Sequence, residues 1–458
     1  MEATLPKQIY PAPSVAWYVV AVLFLAHTFS AIDRQILTLL VGPVRADLGL
    51  SDFEISLLQG LAFSLLFAVV GLPIARLSDV RNRRVIIACG ISFWCLMTAA
   101  CGLSKNFVQL FLARMGVGVG EASLSPAAAS LISDSFAPEK RAMAFSVYHL
   151  GYPVGGGLAL IIGGLVLQML DGVEQVTLGP LGEFRAWQLA FIIVGLPGLL
   201  LAGLMFTFRE PTRQQRVHSA SGQSVPMRVI WQHVRERWQA YAAHLSAVAF
   251  LGMLAIGTAI WYPTFLIRTY GFSPSNAGYS YGLIMGICGV AGILSGGWFS
   301  GRMARQGHAD ANMRVMLIAA LLKAVPLIIG PLMPTAFLAL FCMSIATYLG
   351  QASVGVTTAA IIEITPNEMR AQLLSIMLFM VNILGLALGA TLIAAVTDFI
   401  FGYDGALRYS IALCSAIIAP TIVVILWQGL RHYRACAEEA RAWHTDTTHP
   451  LSKSNATQ

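Results

Sequence analysis

The stretch Asn106–Phe136, NFVQLFLARMGVGVGEASLSPAAASLISDSF, decides the fold. It is long enough to cross a bilayer, yet its apolar run contains Arg114 and Glu121. Seven residues make almost two helical turns, so these side chains are expected on one helix face. Ionisable groups at membrane depth are costly and rarely face lipid, and small residues from Gly116 to Ser123 let neighbouring helices approach closely. The stretch predicts a buried membrane helix whose charged face lines a cavity.

The composition of the whole chain is that of a membrane protein. Of its 458 residues, 57% are hydrophobic and 11% are charged, against about 25% charged in soluble domains. The first apolar segment is too long for a signal peptide and contains Asp33 and Arg34, so no cleaved leader is expected. Twelve apolar segments can be marked, at residues 16–41, 54–77, 84–103, 107–133, 141–169, 186–208, 240–268, 276–301, 313–331, 335–362, 370–397 and 406–430.

The basic residues are distributed unevenly across the expected membrane. The net charge is +7, and with the N-terminus inside, all but eight of the 29 lysines and arginines lie on the inner side. By the positive-inside rule both termini are expected in the cytoplasm. The basic excess therefore reflects topology and does not indicate a nucleic-acid partner. Of the eight basic residues not on the inner side, three are expected within the membrane, namely Arg34, Arg114 and Lys323. Five are expected on the outer side, namely Arg45, Lys105, Arg185, Arg268 and Arg408.

Two kinds of site are not indicated. The seven cysteines form no C-x-x-C pair and lie mostly within apolar segments, so neither a metal site nor a disulfide is expected. The cysteines are Cys89, Cys95, Cys101, Cys288, Cys342, Cys414 and Cys436. The chain has no G-x-x-x-x-G-K-[ST] motif, which argues against an ATP-driven pump.

The second half of the chain repeats motifs of the first. Gly120–Ser123 reads GEAS and Gly350–Ser353 reads GQAS, 230 residues later; Gly157–Leu160 reads GLAL and recurs at Gly385–Leu388. An acid, a proline and an arginine also recur in order at the end of the fourth and tenth segments. Matches at a nearly constant offset predict two parallel six-helix halves. The recurring acid, proline and arginine are Asp134, Pro138 and Arg141 in the first half and Glu363, Pro366 and Arg370 in the second.

This repeat sets the expected domains. They are an N-terminal bundle over 1–208, a basic linker over 209–239, a C-terminal bundle over 240–430 and a cytoplasmic tail over 431–458. Apolar residues in the linker follow helical spacing opposite arginines, which favours an amphipathic helix on the inner leaflet. A loose cytoplasmic loop is the alternative. The apolar residues are Met227, Ile230, Trp231, Val234 and Trp238.

The loop Gly71–Arg84, GLPIARLSDVRNRR, indicates an inner gate. A carboxylate at a helix end, Asp79, can pair with basic residues such as Arg83 and with helix termini when the gate closes. The second half has Ser300 at the equivalent position, so the gate is expected to be asymmetric. The arginines could instead serve only as positive-inside anchors. The repeat-related pairs Asp134 with Arg141 and Glu363 with Arg370 are predicted to join this gate.

A second pair of intramembrane charges, Asp33 and Arg34, lies in the first segment. At about 1.5 Å per residue, Asp33 and Arg114 lie roughly 10–12 Å below the outer surface and Glu121 about 20 Å below it. Two acids and two arginines can therefore meet in one cavity. A structural ion-pair network is the alternative. We favour a functional site because buried ion pairs are poor stabilisers and a protonatable acid beside an arginine forms a switch.

Further candidates for the cavity come from the fifth segment and the second half. His149 could titrate there, although a hydrogen-bonded core histidine is an equal alternative. Gln351 replaces the acid in the second half, where aromatic and methionine residues, with Trp261 among them, could form an apolar wall for substrate. Half of these positions are expected to be ordinary helix packing. Lys323 lies in a segment expected at the periphery, where snorkelling or a structural contact is favoured.

At the level of motifs the chain resembles the Spinster branch of the major facilitator superfamily. The matching stretches are Asp33–Arg34, the Gly71–Arg84 loop, Arg114–Ser123, Lys140–Leu158 and Phe208–Pro211. They cover most of the first half in order, whereas Val80 stands where the superfamily's loop signature has an arginine. The second half matches in architecture more than in motif.

The resemblance implies both a fold and a function. The fold is an all-α membrane protein with twelve transmembrane helices in two pseudo-symmetric bundles, working by alternating access. The function is proton-coupled transport of lysophospholipids or sphingosine phosphate-like lipids, with a proton gradient as driving force and no cofactor. Asp33 and Glu121 would couple protons, and Arg34 and Arg114 would hold the head group. We expect a monomer in a bacterial inner membrane.

Other functions are less well supported. A proton-linked carrier of small organic anions, or a drug exporter, is the main alternative. A membrane-embedded lipid enzyme is not indicated because no Ser/His/Asp set or metal cluster is apparent in the sequence. A receptor that binds ligand without moving it is a third possibility.

Overall fold

The computed structural model describes residues 10–169, 175–177, 183–213, 227–366 and 369–445. Twelve helices within these ranges are long and apolar enough to span a membrane, which confirms the twelve predicted segments. Numbered in chain order as spans 1 to 12, they are Pro13–Leu39, Asp52–Gly71, Arg83–Cys101, Phe107–Ser135, Met143–Met169, Ala186–Leu204, Trp238–Tyr270, Pro274–Arg305, Ala311–Leu332, Ala336–Glu363, Gln372–Phe401 and Asp404–Ala440.

Several spans are interrupted near functional candidates. Span 4 consists of the helices Phe107–Glu121 and Leu124–Ser135, so the first helix ends at the predicted coupling acid. Such breaks at membrane depth are tolerated only inside protein or beside a cavity. The other interrupted spans comprise Asp52–Gln59 and Leu61–Val80, Pro138–His149 and Gly151–Met169, Ala186–Gly195 and Gly198–Leu204, and Arg370–Met380, Val381–Ala387, Leu388–Ala395 and Val396–Phe401.

Shorter elements connect the spans. Val41–Leu48 is a helix between spans 1 and 2, and Gln175–Thr177 pairs antiparallel with Glu183–Arg185 in a small hairpin that the sequence did not predict. The linker contains the predicted helix, Met227–Glu236, while its residues 214–226 lie outside the described ranges. Its position on the inner leaflet stays a prediction.

The last helix is longer than expected. It runs from Leu407 to Thr445 and so includes the first part of the predicted tail; the remaining tail residues lie outside the described ranges. Which face of the membrane the termini occupy stays the prediction of the charge distribution.

Contacts divide the chain into two compact units that do not follow the sequence halves at every point. The first contains Met1–Ser219, Ile260–Gly286 and Asp398–Ile400; the second contains Ala220–Ala259, Ile287–Thr397 and Phe401–Gln458. The last part of span 7, the first part of span 8 and a short stretch near the end of span 11 thus pack within the first unit. The bounds of the four predicted domains stay a prediction.

The internal repeat is visible in matching contacts of the two halves. Arg141 Nε donates a hydrogen bond to the carbonyl oxygen of Phe136 at 2.9 Å, and 229 residues later Arg370 Nε donates to the carbonyl oxygen of Thr365 at 3.1 Å. Each arginine satisfies a backbone oxygen freed where the preceding span ends. The repeat seen in the sequence therefore extends to local structure.

Glycines allow the spans to pack backbone against backbone. In the second unit, a Cβ atom on Gly257 of span 7 would lie 2.6 Å from the carbonyl oxygen of Gly389 in span 11. A carbonyl oxygen of a helix cannot move away without breaking backbone hydrogen bonds. Close contact through small residues is the usual way in which membrane helices associate.

We therefore expect Gly257→Ala to destabilise the protein by roughly 1–3 kcal/mol, because overpacking forces spans 7 and 11 apart. Thermal unfolding in detergent measures this loss. Gly203→Ala is the matched control, since a Cβ there has no neighbour within 4 Å and alanine favours the helix by about 0.5–1 kcal/mol. Equal unfolding temperatures for the two variants would contradict this packing account.

Candidate functional site

The predicted charge cluster is formed in the first unit, around the end of the helix Phe107–Glu121. Arg34 Nε donates to Glu121 Oε2 at 2.6 Å, and Ser30 Oγ donates to the same oxygen at 2.6 Å. Glu121 is buried, whereas 25% of the Arg34 side chain is exposed. Span 1 and span 4 are thus joined by a charge-assisted pair at membrane depth.

The Arg34 guanidinium also rests on aromatic rings of span 2. Its central carbon lies 4.4 Å from the ring centre of Phe63 and 5.3 Å from that of Phe67. A cation over an aromatic face is stabilised by about 0.5–2 kcal/mol. These rings contact the guanidinium in addition to its pairing with Glu121.

Arg114 lies beside the other predicted coupling acid. Its Nη1 donates to the carbonyl oxygen of Asp33 at 3.3 Å and its Nε donates to that of Leu58 at 3.4 Å. Both Asp33 and Arg114 are buried, and the charges of Arg114 and Glu121 act on the Asp33 carboxylate. All four predicted charges therefore meet in one place.

Two carboxylate oxygens in this cluster are unsatisfied. Asp33 Oδ1 and Glu121 Oε1 are buried and accept no hydrogen bond from the described part of the chain. Buried polar atoms in purely structural networks are nearly always paired. The unpaired oxygens therefore favour a site that takes up a proton or a ligand over the alternative of a structural ion-pair network.

His149 lies in an aromatic group next to this cluster. Its ring centre is 6.0 Å from that of His27, which stacks on Tyr148 at 4.5 Å, and the charge of Arg34 acts on His27. His149 is exposed. This exposure argues against the alternative of a core histidine, and its role in substrate binding stays a prediction.

The predicted second-half residues are not brought into this cluster by contacts within either unit. Trp261 is fully buried in the first unit, so it lines no accessible surface in this conformation. Gln351 belongs to the second unit, where its Cβ lies 3.0 Å from the position that a Cβ on Gly292 would take. Their assignment to the substrate stays a prediction without support from local geometry.

Lys323 makes the structural contact that the sequence favoured. It is 6% exposed, and its Nζ lies 2.9 Å from the position of a Cβ on Gly350. The repeat-related residue Trp94, 229 positions earlier, lies against Gly120, with its Cβ and backbone nitrogen 2.7 Å from the position of a Cβ there. Both residues thus pack at the repeat-related glycine of the next span, Lys323 through its ammonium end and Trp94 through its Cβ and backbone.

Arg83 is the centre of the predicted inner gate. It is fully buried, pairs with Asp134, donates from Nε to Glu210 Oε1 at 2.7 Å and from Nη1 to Ser130 Oγ at 2.8 Å. Glu210 was not predicted from the sequence, although it lies in the Phe208–Pro211 stretch that matches the family. The Asp79 side chain lies outside the described residues, so its place in the gate stays a prediction.

The second half has a neutral version of the same contact. Asn312, 229 residues after Arg83, donates from Nδ2 to Glu363 Oε2 at 3.1 Å, and Tyr433 donates its hydroxyl to the same oxygen at 2.9 Å. Ser300 Oγ in turn donates to Asn312 Oδ1 at 2.6 Å. The asymmetry predicted from Ser300 therefore includes a second position, where an amide replaces the guanidinium.

Opposite the termini, the first unit has an ion-pair network that the sequence analysis missed. Arg268, at the end of span 7, donates from Nη1 and Nη2 to the two oxygens of buried Asp52 at 2.5 and 2.7 Å. Arg45 Nη1 lies 3.7 Å from Asp52 Oδ1. Asp398 of span 11 accepts a hydrogen bond from the backbone N–H of Phe53 at 2.7 Å. The sequence feature that could have drawn attention to Asp52 is the helix start at Ser51–Glu54, where Ser51 and Glu54 form a capping box.

This network connects the start of span 2 with the ends of spans 7 and 11. A bidentate arginine–carboxylate pair is among the stronger protein contacts, and the acids lie at a helix N-terminus, where negative charge is favoured. Since spans 7 and 11 belong to the second sequence half, these contacts hold residues of both halves together on this side.

Comparison with known proteins identifies the family. The model of the major facilitator superfamily matches residues 23–390. A bacterial homologue of the human lysosomal transporter Spinster, solved in an inward-facing and unoccupied conformation, is 26% identical, with a TM-score of 0.74 over 96% of this chain and 100% of that one.

Two curated relatives are similar in sequence. An MFS-type efflux pump of Mycolicibacterium smegmatis is 27% identical over 94% of this chain and 96% of its own. A hexuronate transporter of Bacillus subtilis is 24% identical over 68% of this chain and 71% of its own. These bacterial relatives indicate the inner membrane. The chain belongs to the major facilitator superfamily and is a multi-pass membrane transporter, not an enzyme, with the Spinster-like character that its motifs predicted.

Proposed function

We propose that the chain is a proton-coupled secondary transporter of anionic amphiphilic lipids, of the lysophospholipid or sphingosine phosphate class, working by alternating access. The observation that carries this proposal is the pair between the partly exposed Arg34 and the buried Glu121, with its unsatisfied carboxylate oxygen. A cation and a protonatable acid in one contact supply both an anion site and a coupling site.

The proton step follows from how the four oxygens of the two acids are used. Glu121 Oε2 is occupied by Ser30 and Arg34, so a proton would bind at the free Oε1. Protonation removes the negative charge that attracts Arg34, and the guanidinium becomes available to an anionic head group. Asp33, with its own free oxygen beside Arg114, provides a second place for a proton.

The surroundings of Arg34 suit an amphiphile. The guanidinium can bind a phosphate through paired N–H groups, while Phe63 and Phe67 present apolar surface directly beside it. A head group on Arg34 would therefore place the start of an acyl chain against aromatic rings. A small sugar acid would leave this apolar surface unused.

The second candidate is a carrier of small organic anions. It is favoured by the similarity to a hexuronate transporter, and Arg34 would bind a carboxylate as readily as a phosphate. The two functions differ in their response to chain length. A lipid carrier should be inhibited more strongly as the acyl chain of a competitor lengthens, whereas a small-anion carrier should not respond to it.

The ion-pair network at Asp52 supplies one gate for alternating access. Breaking the contacts of Arg268 and Asp398 would release the ends of spans 7 and 11 from span 2. The contacts of Arg83 with Asp134, Glu210 and Ser130, here called the Arg83 cluster, form the corresponding gate at the start of span 3. A complete cycle would require each to form and break in turn.

We predict that Glu121→Gln abolishes pH-gradient-driven transport while the protein still folds, because glutamine keeps the shape and cannot bind the proton. Flux of a labelled lysophospholipid into and out of proteoliposomes under an imposed pH gradient measures this. Glu183→Gln, which removes an exposed acid, is the control and should transport normally.

Two outcomes of that assay would overturn parts of the proposal. Gradient-dependent flux that survives in Glu121→Gln would remove Glu121 from the coupling step. Wild-type protein that moves a labelled hexuronate but no lysophospholipid would leave the coupling site in place and replace the lipid by a small organic anion.

For the gate opposite the termini, we expect Arg268→Gln to shift the protein towards opening on that side, because buried Asp52 loses its bidentate partner. Removal of one partner of a buried pair costs about 3–5 kcal/mol. Spin-label distances between the outer ends of spans 2 and 7 report the opening, and the exchanged pair Asp52→Arg with Arg268→Asp should restore closure in part.

The matched control is Arg185→Gln, which breaks the ion pair of Asp47 on the same side of the protein. The Arg185 side chain is 51% exposed, so this loss should cost no more than about 1 kcal/mol and leave the distances unchanged. If Arg268→Gln behaved like Arg185→Gln, the Asp52 network would not be a gate.

At the Arg83 cluster, we predict a clear difference in stability between the two halves. Arg83→Gln leaves Asp134 and Glu210 without the cation between them and should lower stability by about 3–5 kcal/mol. Asn312→Leu should cost only about 1 kcal/mol, because Tyr433 still donates to Glu363. Thermal unfolding in detergent compares them, and a larger loss for Asn312→Leu would refute the assigned asymmetry.

A further inference from the structure

A groove in the second unit is lined by none of the residues of the candidate site. Spans 7 and 12 enclose a cavity of about 890 Å³ near the termini. The helices approach closely where span 12 has Gly429, since a Cβ there would collide with Ala243 of span 7. Small residues form the middle of the groove: Ala242, Ala243, Ser246 and Gly429.

The walls of this groove are apolar and aromatic. Trp238 at the start of span 7 and Trp427 near the end of span 12 line it and are 60% and 69% exposed. Tryptophan side chains concentrate where membrane helices leave the hydrocarbon layer, because the ring is apolar and its N–H is polar. The groove therefore opens at the level where lipid chains meet their head groups.

The rim of the groove is basic. Arg431, His432 and Arg434 line it, and no acid is among its lining residues in the described part of the chain. Arg434 donates from Nε to Asp310 Oδ2 at 2.8 Å. Burial alone would raise the pKa of Asp310, but hydrogen bonds and charge from Arg314 and Arg434 outweigh it and lower that pKa. Asp310 thus remains ionised at neutral pH and fixes Arg434 at the rim.

Among the residues that the structure describes, no acid pairs with Arg431 at the rim. Its Nε donates to His432 Nε2 at 3.1 Å, no described residue accepts from its terminal N–H groups, and the residue is exposed. The groove thus combines an uncompensated guanidinium with apolar walls of two tryptophans. This is the complement of a molecule with an anionic head and an acyl chain.

We propose that this groove binds an anionic phospholipid of the surrounding membrane, with the phosphate on Arg431 and an acyl chain between Trp238 and Trp427. Basic pockets between membrane helices hold anionic head groups in this manner. The occupant is a resident lipid of the bilayer, so the proposal does not depend on which substrate the transporter carries.

The test is native mass spectrometry of the purified full chain with added phosphatidylglycerol or zwitterionic phosphatidylcholine. Wild-type protein should retain phosphatidylglycerol in preference. Arg431→Gln should weaken retention of phosphatidylglycerol about fivefold, the effect of one basic residue at a membrane surface. Arg305→Gln removes an exposed arginine elsewhere at the same end of the spans and should change nothing.

A second measurement does not depend on the Arg431 variant folding. In wild-type protein in nanodiscs, brominated phosphatidylglycerol should quench more tryptophan fluorescence than brominated phosphatidylcholine, and Trp427→Phe should remove most of that difference. Equal retention of the two lipids, equal losses in Arg431→Gln and Arg305→Gln, or an unchanged quenching difference in Trp427→Phe would each overturn the proposal.

Discussion

An ionised side chain inside the hydrocarbon layer must find its partner within the protein, and this constraint determines the centre of the structure. Water is absent there, and an isolated charge costs several kcal/mol or more. Glu121 and Arg34 meet this requirement with each other, while Arg114 meets it through the backbone oxygens of Asp33 and Leu58. A change of one proton alters the balance of the whole group, which is why the same residues are suited to coupling.

Much of the fold could be predicted from the sequence because its physical cause is local. Twelve apolar segments follow from hydropathy, and the amphipathic helix Met227–Glu236 follows from its spacing. A cluster containing Arg34, Arg114, Asp33 and Glu121 could be anticipated because charges in apolar helices have few possible partners. Helical spacing and depth did not predict that Arg34, and not Arg114, would pair with Glu121, since that depends on how spans 1 and 4 pack.

Other parts of the site could not be predicted because they depend on contacts distant in sequence. Asp52 and Arg268 are 216 residues apart, and each alone has the pattern of an ordinary charged residue at a helix end. Glu210 is similarly inconspicuous until it reaches Arg83. Trp261 illustrates the opposite limit, because an aromatic residue in a membrane helix has the same sequence pattern in a packed interior as in a binding wall.

The two halves share a backbone pattern but differ in their charges. Glu121 corresponds to Gln351, and Arg83 corresponds to Asn312, so the first half has arginine–carboxylate pairs at both the centre and the gate. Repeat-related contacts such as those of Arg141 and Arg370 are kept because they serve the helix ends. We conclude that the repeat preserves structure, and we propose that coupling is concentrated in the first half.

The central claim is that Glu121 takes up a proton when an anionic substrate draws Arg34 away. The most direct measurement is the number of protons bound by purified protein on addition of a lysophospholipid, followed with a pH indicator in weakly buffered detergent solution. The account predicts proton uptake in the wild type and its loss in Glu121→Gln, with binding retained. Equal uptake in both proteins, or binding with no change in protons, would contradict it.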